Sequence, residues 1–449
     1  MFESVLIANR GEIARRVIGT CRRLGIRTIA VYAEADRSAR HVAEADEAIE
    51  IGPAAPGESY LRGDAVLEAA RASGAAAIHP GYGFLSESAE FARSVEAAGI
   101  VWIGPEPDQI IEMGDKIAAR NRMEAAGVPV APGTRESVVD LPDAVEQGRI
   151  VGYPLMVKAA AGGGGIGMSV VHDEDELVTA FETARSRAER FFGSPSILLE
   201  RYIASARHIE VQVLGLADGR VVALGERDCS VQRRHQKVVE ESPSPFVGPE
   251  LRERMLAAAV RAAAAISYRG AGTVEFLVDT STGEFIFLEM NTRLQVEHPV
   301  TEMVTGIDLV EQQLRVAAGL EPTFDLTVPT VGHAVEFRVY AEDPVRFLPS
   351  PGEITVWSEP EGPGVRVDAG YVAGDTVTAF YDPMIAKLIA WGEDRAQALE
   401  RLRIAAEQFT IVGPKVNLPF LHELLVEPSF LSGEYDTSII AGMRAGSRA

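Results

Sequence analysis

Glu275 and Glu289 sit in two short apolar runs separated by a turn: Thr273-Val-Glu275-Phe-Leu-Val-Asp279-Thr-Ser-Thr-Gly283-Glu-Phe-Ile-Phe-Leu-Glu289-Met-Asn291. Folding this stretch about Thr282 as a hairpin sets Glu275 opposite Glu289 on one face of a sheet. Two such carboxylates repel, and each interrupts an otherwise apolar strand. A divalent cation between them removes the penalty, and magnesium, a hard cation that takes carboxylate oxygens and substrate phosphates, suits the donors. The bland alternative is a pair of solvent-facing acids. Downstream, Glu289, Asn291, Arg293, Gln295 and Glu297 take every second position, with Leu288, Met290, Leu294 and Val296 between them. If the chain stays extended, one polar row runs from the metal site toward a second substrate. That row holds a guanidinium suited to an oxyanion and a carboxylate able to act as a base. A solvated edge strand would explain the alternation, but not its junction with the facing acids.

A second feature is the run Lys158-Ala-Ala-Ala-Gly162-Gly163-Gly164-Gly165-Ile166-Gly167-Met168. Consecutive glycines leave N–H groups unshielded and permit positive φ, so such a loop can wrap a polyphosphate closely. A strand pattern follows it rather than a helix, which removes the dinucleotide-binding context, and no Gly-Lys-Ser/Thr follows, which removes the P-loop. A flap between two antiparallel strands fits better, with Lys116 and Lys158 as further phosphate partners. The bland alternative is a surface hairpin without a ligand. A basic cluster, Arg233, Arg234, His235 and Lys237, stands out in a chain of formal net charge −22. In so acidic a protein it reads as a local site for a small anion rather than a nucleic-acid patch.

The elements that must carry these residues follow from periodicity. Strand patterns at 4–8, 27–32, 75–78 and 101–103 alternate with helices at 11–24, 61–72 and 88–98, which predicts a parallel sheet covered by helices. The turn Ala8-Asn9-Arg10-Gly11-Glu12 lies where a dinucleotide fingerprint would be but lacks its glycines, so an NAD-binding reading fails. From 115 the pattern changes: helix 116–126, strands 155–158 and 169–171 around the glycine run, helix 174–190 and strand 197–200. A hairpin at 208–215 and 220–227, an alanine-rich helix 250–267 and the carboxylate hairpin at 273–290 follow. Beyond 332, short strands and turn signals close with a helix at 395–409.

At 449 residues the chain suggests two to four domains. The negative charge argues against nonspecific binding to nucleic acid or anionic membrane, and no apolar run is long enough to span a bilayer. Two cysteines, Cys21 and Cys229, supply neither a disulfide framework nor a zinc site, and with no signal peptide evident at Met1 the expectation is a cytoplasmic protein. Cys229 reads as a buried small residue, and His79, His298 and His333 as structural hydrogen-bonding groups.

Several long motifs, in order along residues 1–440, resemble those of biotin carboxylase, the ATP-grasp component of biotin-dependent carboxylases. They are Leu6-Ile-Ala-Asn-Arg-Gly-Glu-Ile13, His79-Pro-Gly-Tyr-Gly-Phe-Leu-Ser86, the glycine run, Gln232-Arg-Arg-His-Gln-Lys-Val238, Glu289-Met-Asn-Thr-Arg-Leu-Gln-Val-Glu-His-Pro299 and Phe347-Leu-Pro-Ser-Pro-Gly352. The resemblance implies an α/β and α+β protein: a Rossmann-like parallel-sheet domain over 1–114, an ATP-grasp domain over 115–331 with a mobile lid subdomain at 132–203, and a mixed C-terminal domain over 332–446. It implies that Lys116, Lys158, Gly162, Gly163, Gly164, Gly165 and Gly167 contact ATP phosphates, and that Met168 belongs to the nucleotide-binding set. Glu200, Arg201 and Ile203 would hold adenine, with His208, Gln232, His235 and Leu277 lining the nucleotide site.

By the same resemblance Glu275, Glu289 and Asn291 hold magnesium or manganese. Bicarbonate meets Lys237, Arg293, Gln295, Val296 and Glu297, with Glu297 as base, and Arg338 contacts biotin. The implied reaction carboxylates biotin on a separate carrier protein through carboxyphosphate, as the first half-reaction of an acetyl-CoA or acyl-CoA carboxylase. The implied partners are that carrier and a carboxyltransferase, since no Ala-Met-Lys-Met biotinylation motif is present, together with a second copy in a homodimer. Departures from the family pattern are Ile166, where the flap commonly carries arginine; Phe347, one residue early; and Gly19 and Arg23 on a surface often used for dimerisation. The main rival is an ATP-grasp ligase joining a carboxylate to an amine through an acyl phosphate, which would not require Arg293 to Glu297. A regulatory protein that only binds nucleotide is disfavoured because every acid, base and metal position is filled.

Overall fold

Strand Ser4–Ile7 is central in a five-stranded parallel sheet, flanked by Arg27–Ala33 and Glu47–Gly52 on one side and by Ala77–His79 and Val101–Trp102 on the other. The computed structural model describes residues 1–160 and 168–446. Both faces of the strand are covered, which is why it reads as an unbroken apolar run. Val5 and Ile7 pack with Ile13 and Val17 of helix Gly11–Arg23, while Leu6 and Ala8 pack on the other face with Ile29, Val31 and Ile78. The first of these clusters also takes in Leu214, Leu216, Leu309 and Leu314, so the parallel sheet shares its core with the middle of the chain. The turn after the strand is filled by its own side chains. Asn9 Nδ2 donates to the carbonyls of Pro80 and Tyr82 at 2.7 Å each, and Arg10 pairs with Asp36 at 2.6 Å. With Asn and Arg occupying the space, this turn is a clasp and not a dinucleotide cradle.

The second sheet has eight antiparallel strands in the order Phe285–Asn291, Gly270–Asp279, Ala206–Gly215, Val221–Arg233, Gln236–Ser242, His333–Tyr340, Met384–Gly392 and Val365–Ala369. The carboxylate hairpin forms one edge, with Glu275 opposite Glu289 as its spacing predicts; a bulge then shifts the register so that Phe276 faces Phe287. Helix Pro249–Ala265 covers one face through Met255, Ala258, Ala259 and Ala262, packed on Val211, Val274 and Phe276. A small three-stranded sheet of Ser169–Val171, Leu155–Ala159 and Ile197–Arg201 stands apart, covered by helices Leu141–Val151 and Glu174–Phe192 through Ala144, Leu177 and Phe181, which cluster with Leu155. The glycines 162–165 and 167, with Ile166, lie outside the described residues; the strands on either side of them pair antiparallel, Leu155 with Val171 and Val157 with Ser169.

Most expected elements are present within a residue or two, but the strand expected at 220–227 runs on to Arg233 and the hairpin expected from 273 starts at Gly270, and there are additions. Glu47–Gly52, Leu141–Val151 and Gln236–Ser242 have no counterpart in the periodicity reading. The helix expected to close the chain, Arg395–Gln408, is followed by strand Thr410–Val412 and helices Leu418–Leu424, Pro428–Ser432 and Ile439–Gly446. These short helices bury Phe420, Leu421, Phe430 and Ile440 against the strands from 333 onward.

Candidate active site

One cross-strand row organises the centre of the large sheet: Glu289 opposes Glu275, Glu275 opposes Glu210, and Glu210 opposes Arg227. Paired residues in an antiparallel sheet share a face, so three carboxylates and a guanidinium line up across four strands. Arg227 is fully buried and donates to Glu210 at 2.6 Å, Gln212 at 2.7 Å, Thr301 at 2.9 Å and Thr273 at 3.1 Å. Lys237, on the next strand, places its ammonium among three acids: Glu210 at 2.5 Å, Glu297 at 2.6 Å and Glu275 at 2.9 Å, with Gln295 Oε1 at 3.3 Å. Burial alone would discharge this lysine, but the three carboxylates outweigh it and hold its pKa well above the ordinary value.

The opposed glutamates are unequal. Glu275 receives Lys237, the amides of Asn291 and Gln295 at 2.9 Å each, and His208 Nε2 at 2.8 Å. Burial works against its charge, yet Lys237 and His208 hold the carboxyl well below the usual range. In Glu289, burial and then repulsion from Glu275 push the carboxyl up, with Lys116 only partly offsetting them. Glu289 is thus the acid still short of positive charge. The donors around it are hard oxygens, which fits magnesium or manganese and not a soft ion. The tighter grouping of His208, Glu210 and Glu275 is a poorer cation site, because Glu210 is neutralised by both Arg227 and Lys237 and His208 is already bonded to Glu275.

Past Asn291 the strand ends, and residues 292–297 run as an irregular loop. The polar alternation nevertheless still delivers Gln295 and Glu297 to the cluster while Leu294 drops into the core. Glu297 is completely buried, bonded to Lys237 through one oxygen and to Arg338 Nη2 through the other at 3.0 Å. Burial opposes its charge, but Lys237 and Arg338 keep the carboxyl below its ordinary value, so it is anionic at neutral pH. Arg338 also donates to Glu240 at 2.7 Å. Val296 is held from behind, its carbonyl accepting from the buried Lys387 at 2.9 Å. Arg293 donates to Glu87 at 2.9 Å and to Asn291 Oδ1 at 3.0 Å.

The remaining residues singled out in the sequence lie toward the small sheet. Lys158 pairs with Glu200 across adjacent strands, and Arg201 donates to the Val151 carbonyl at 2.7 Å. Ile203 lies in the turn before strand Ala206–Gly215, and Met168 precedes Ser169–Val171. Leu277 is opposite His208, whose Nδ1 meets Gln232 at 2.6 Å. Lys116 opens helix Lys116–Ala125, near enough to Glu289 and Lys158 to feel both charges. His235 is at a two-residue turn in which both Arg234 and His235 have positive φ, +50° and +67°, a strained geometry for residues with a Cβ. Arg233 departs from the expected anion-binding cluster: it pairs with Glu342 at 2.7 Å and stacks over Phe347.

Each of the three histidines expected to be hydrogen-bonding groups has a partner. His79 meets Gln313 at 3.2 Å, His298 the Gln295 carbonyl at 2.7 Å and His333 Glu241 at 2.6 Å. Cys229 is buried 3.9 Å from Glu297.

Sequence reasoning missed Glu210, Arg227, Glu240, Glu87 and Lys387. For Glu210 a signal existed, because His208, Glu210 and Gln212 interrupt an apolar strand at every second position. Lys387 and Glu240 are brought in by pairings between distant segments, Lys387 opposite Arg338 and Glu240 opposite Glu336, and no local pattern announces those.

Residues 1–110 match the family model described as biotin carboxylase, N-terminal domain; 115–323 match carbamoyl-phosphate synthase L chain, ATP binding domain; and 336–442 match biotin carboxylase C-terminal domain. A biotin carboxylase of Halalkalibacterium halodurans is 54% identical over 98% of this chain and 97% of its own length. The propionyl-CoA carboxylase alpha chain of Ruegeria pomeroyi is 48% identical over 98% of this chain and 68% of its own length. Among solved structures, the biotin carboxylase domain dimer of 2-oxoglutarate carboxylase from Hydrogenobacter thermophilus superposes with a TM-score of 0.95 at 45% identity. That alignment covers 98% of each chain, and the relative was crystallised with MgADP, ADP and bicarbonate.

Proposed function

This chain belongs to the biotin carboxylase family of ATP-grasp ligases, and from that membership we propose that it uses ATP and bicarbonate to carboxylate biotin on a separate carrier protein. The observation that carries the reading is the meeting of Lys237, Arg338 and the buried Glu297 beside the Glu275–Glu289 pair. In this reading an anion site and a base lie next to a cation site. Lys116, Lys158 and the glycines 162–165 and 167 contact the ATP phosphates in this reading, with Met168 also in the nucleotide site. Glu200 and the backbone of Arg201 and Ile203 hold adenine, and His208, Gln232, His235 and Leu277 line the nucleotide. Glu275, Glu289 and Asn291 would hold magnesium or manganese, whose role is to neutralise phosphate charge.

Bicarbonate sits against Lys237, Arg293, Gln295 and the Val296 backbone. In the free protein Glu297 shares its charge with Lys237 and Arg338 and is therefore a weak base. An arriving anion draws those cations toward itself, and the basicity of Glu297 rises where the proton must be removed. The deprotonated bicarbonate attacks the γ-phosphorus, ADP leaves, and carboxyphosphate forms. Its breakdown gives CO2 and phosphate; the phosphate takes the ureido proton, and Arg293 with Arg338 supports the enolate-like biotin.

The same reading assigns three regions: 1–114, 115–331 with a lid at 132–203, and 332–446. It gives the chain a carrier protein and a carboxyltransferase as partners, a homodimeric state and a cytoplasmic location. Relatives carry names from pyruvate to methylcrotonoyl-CoA carboxylases; an acetyl-CoA or other acyl-CoA carboxylase is our choice for the complete system, tested by copurifying the carrier and carboxyltransferase. ATP cleavage by the purified protein is expected to require bicarbonate and to be stimulated by free biotin. Cleavage driven by a carboxylate and an amine, without bicarbonate, would instead favour the acyl-phosphate ligase.

A further inference from the structure

The acids that pair with Lys237 and Arg338 come from the large sheet or the loop that follows it, whereas Arg293 has a partner from the first region of the chain. Glu87 lies in the turn just before helix Ala89–Ala97 and reaches across to residues 292 and 293. Its Oε2 accepts from Arg293 Nε at 2.9 Å, and its Oε1 accepts from the Thr292 backbone N–H at 3.3 Å and the Thr292 hydroxyl at 3.5 Å. One carboxylate therefore restrains both the arginine and the chain that bears it. The restraint has work to do because strand Phe285–Asn291 has ended and no ladder fixes residues 292–297.

The three guanidinium nitrogens are not held alike. Nε meets the carboxylate; Nη2 donates to the neutral Asn291 Oδ1 at 3.0 Å, and Nη1 reaches the Leu294 carbonyl at a long 3.4 Å. A carboxylate on Nε fixes the plane of the fork while leaving its two outer nitrogens, each with a weaker neutral partner, to turn to an incoming oxyanion.

We infer that Glu87 is a positioning residue for Arg293, presenting the outer edge of its guanidinium to the substrate oxyanion. The inference rests on the reading of Arg293 as a substrate contact given above. Glu87 and Arg293 are both partly exposed, at 41% and 21% of the side chain, so Glu87→Gln leaves the fold intact. The variant keeps an acceptor of the same shape and loses the charge. Misplacing a substrate-orienting group acts on turnover rather than on nucleotide binding.

In bicarbonate- and biotin-dependent ATP cleavage, E87Q is expected to lower kcat about tenfold with the KM for MgATP unchanged. Arg293→Lys is expected to lower kcat further, and E87Q/R293K to match R293K within about twofold, because the group that Glu87 positions has already been altered. An E87Q enzyme with wild-type kcat, or a double variant in which the two losses multiply, overturns the proposal. R293K with unchanged kinetics instead removes the reading of Arg293 and the proposal with it. Where R293K turns over too slowly to follow, a crystal structure of E87Q reads the same coupling: Arg293 is expected to leave Asn291, and a guanidinium unmoved from that contact overturns the inference.

Discussion

Glu289→Gln separates the cost of the opposed acids from their use. In the free protein the substitution removes a like-charge pair that faces directly across a ladder, with Glu289 pushed up by burial and by Glu275. Cross-strand pairs of this kind are worth about 0.2–1 kcal/mol, so the metal-free variant is expected to be at least as stable as the wild type. With a bound cation the order reverses. A ligand present at about 100 times its Kd stabilises the folded state by about 2.7 kcal/mol, and the average unfolding entropy per residue converts this to roughly 3 °C for a chain of 449 residues. Thermal unfolding in ADP with EDTA and in ADP with excess Mg2+ reads the difference. The wild type is expected to gain about 3 °C on adding metal and the variant less than about 1 °C. An equal gain in both would refute the reasoning, since the cation would then not depend on Glu289.

Glu297→Gln is expected to lower bicarbonate-dependent ATP cleavage at least a hundredfold while ADP binding, followed by calorimetry, stays within about threefold; near-wild-type turnover would remove the base assignment. Lys237→Ala is expected to raise the bicarbonate KM more than tenfold and to cost about 3 kcal/mol in chemical denaturation, because three buried carboxylates lose their shared cation. Glu241 is buried with His333 at 2.6 Å and Arg395 at 2.7 Å; burial opposes its charge, yet these partners lower its pKa from 4.5 to about 2. A depressed folded pKa adds stability above the unfolded value that disappears as pH falls through the folded one. Glu241→Gln is therefore expected to cost about 3 kcal/mol at pH 7, with the deficit closing between about pH 4.5 and pH 2 in pH-dependent unfolding.

The carboxylate hairpin was legible because its information is local. Alternation and one turn fix the register that sets Glu275 against Glu289, and the single misfit is the bulge at Phe276, which no spacing rule announces. Glu297 was legible as a polar residue in an apolar alternation, although the strand that was to carry it stops at Asn291. The surrounding charge compensation was not. Lys237 meets acids from three different segments, at 210, 275 and 297, and pairings over such separations depend on the whole sheet closing. Helix Leu141–Val151 was not read from the sequence; it contains Gly148, where an added Cβ would lie 2.7 Å from Leu177 Cδ2, so the glycine allows close packing.

In the proposed mechanism an oxygen of bicarbonate attacks the γ-phosphorus under the control of Lys237 and Glu297, and isotope transfer tests this most directly. In short incubations with [18O]bicarbonate, ATP and Mg2+, the phosphate released is expected to carry one labelled oxygen derived from bicarbonate, and Glu297→Gln to release almost none. Phosphate whose new oxygen comes only from water, at the full wild-type rate, would contradict it.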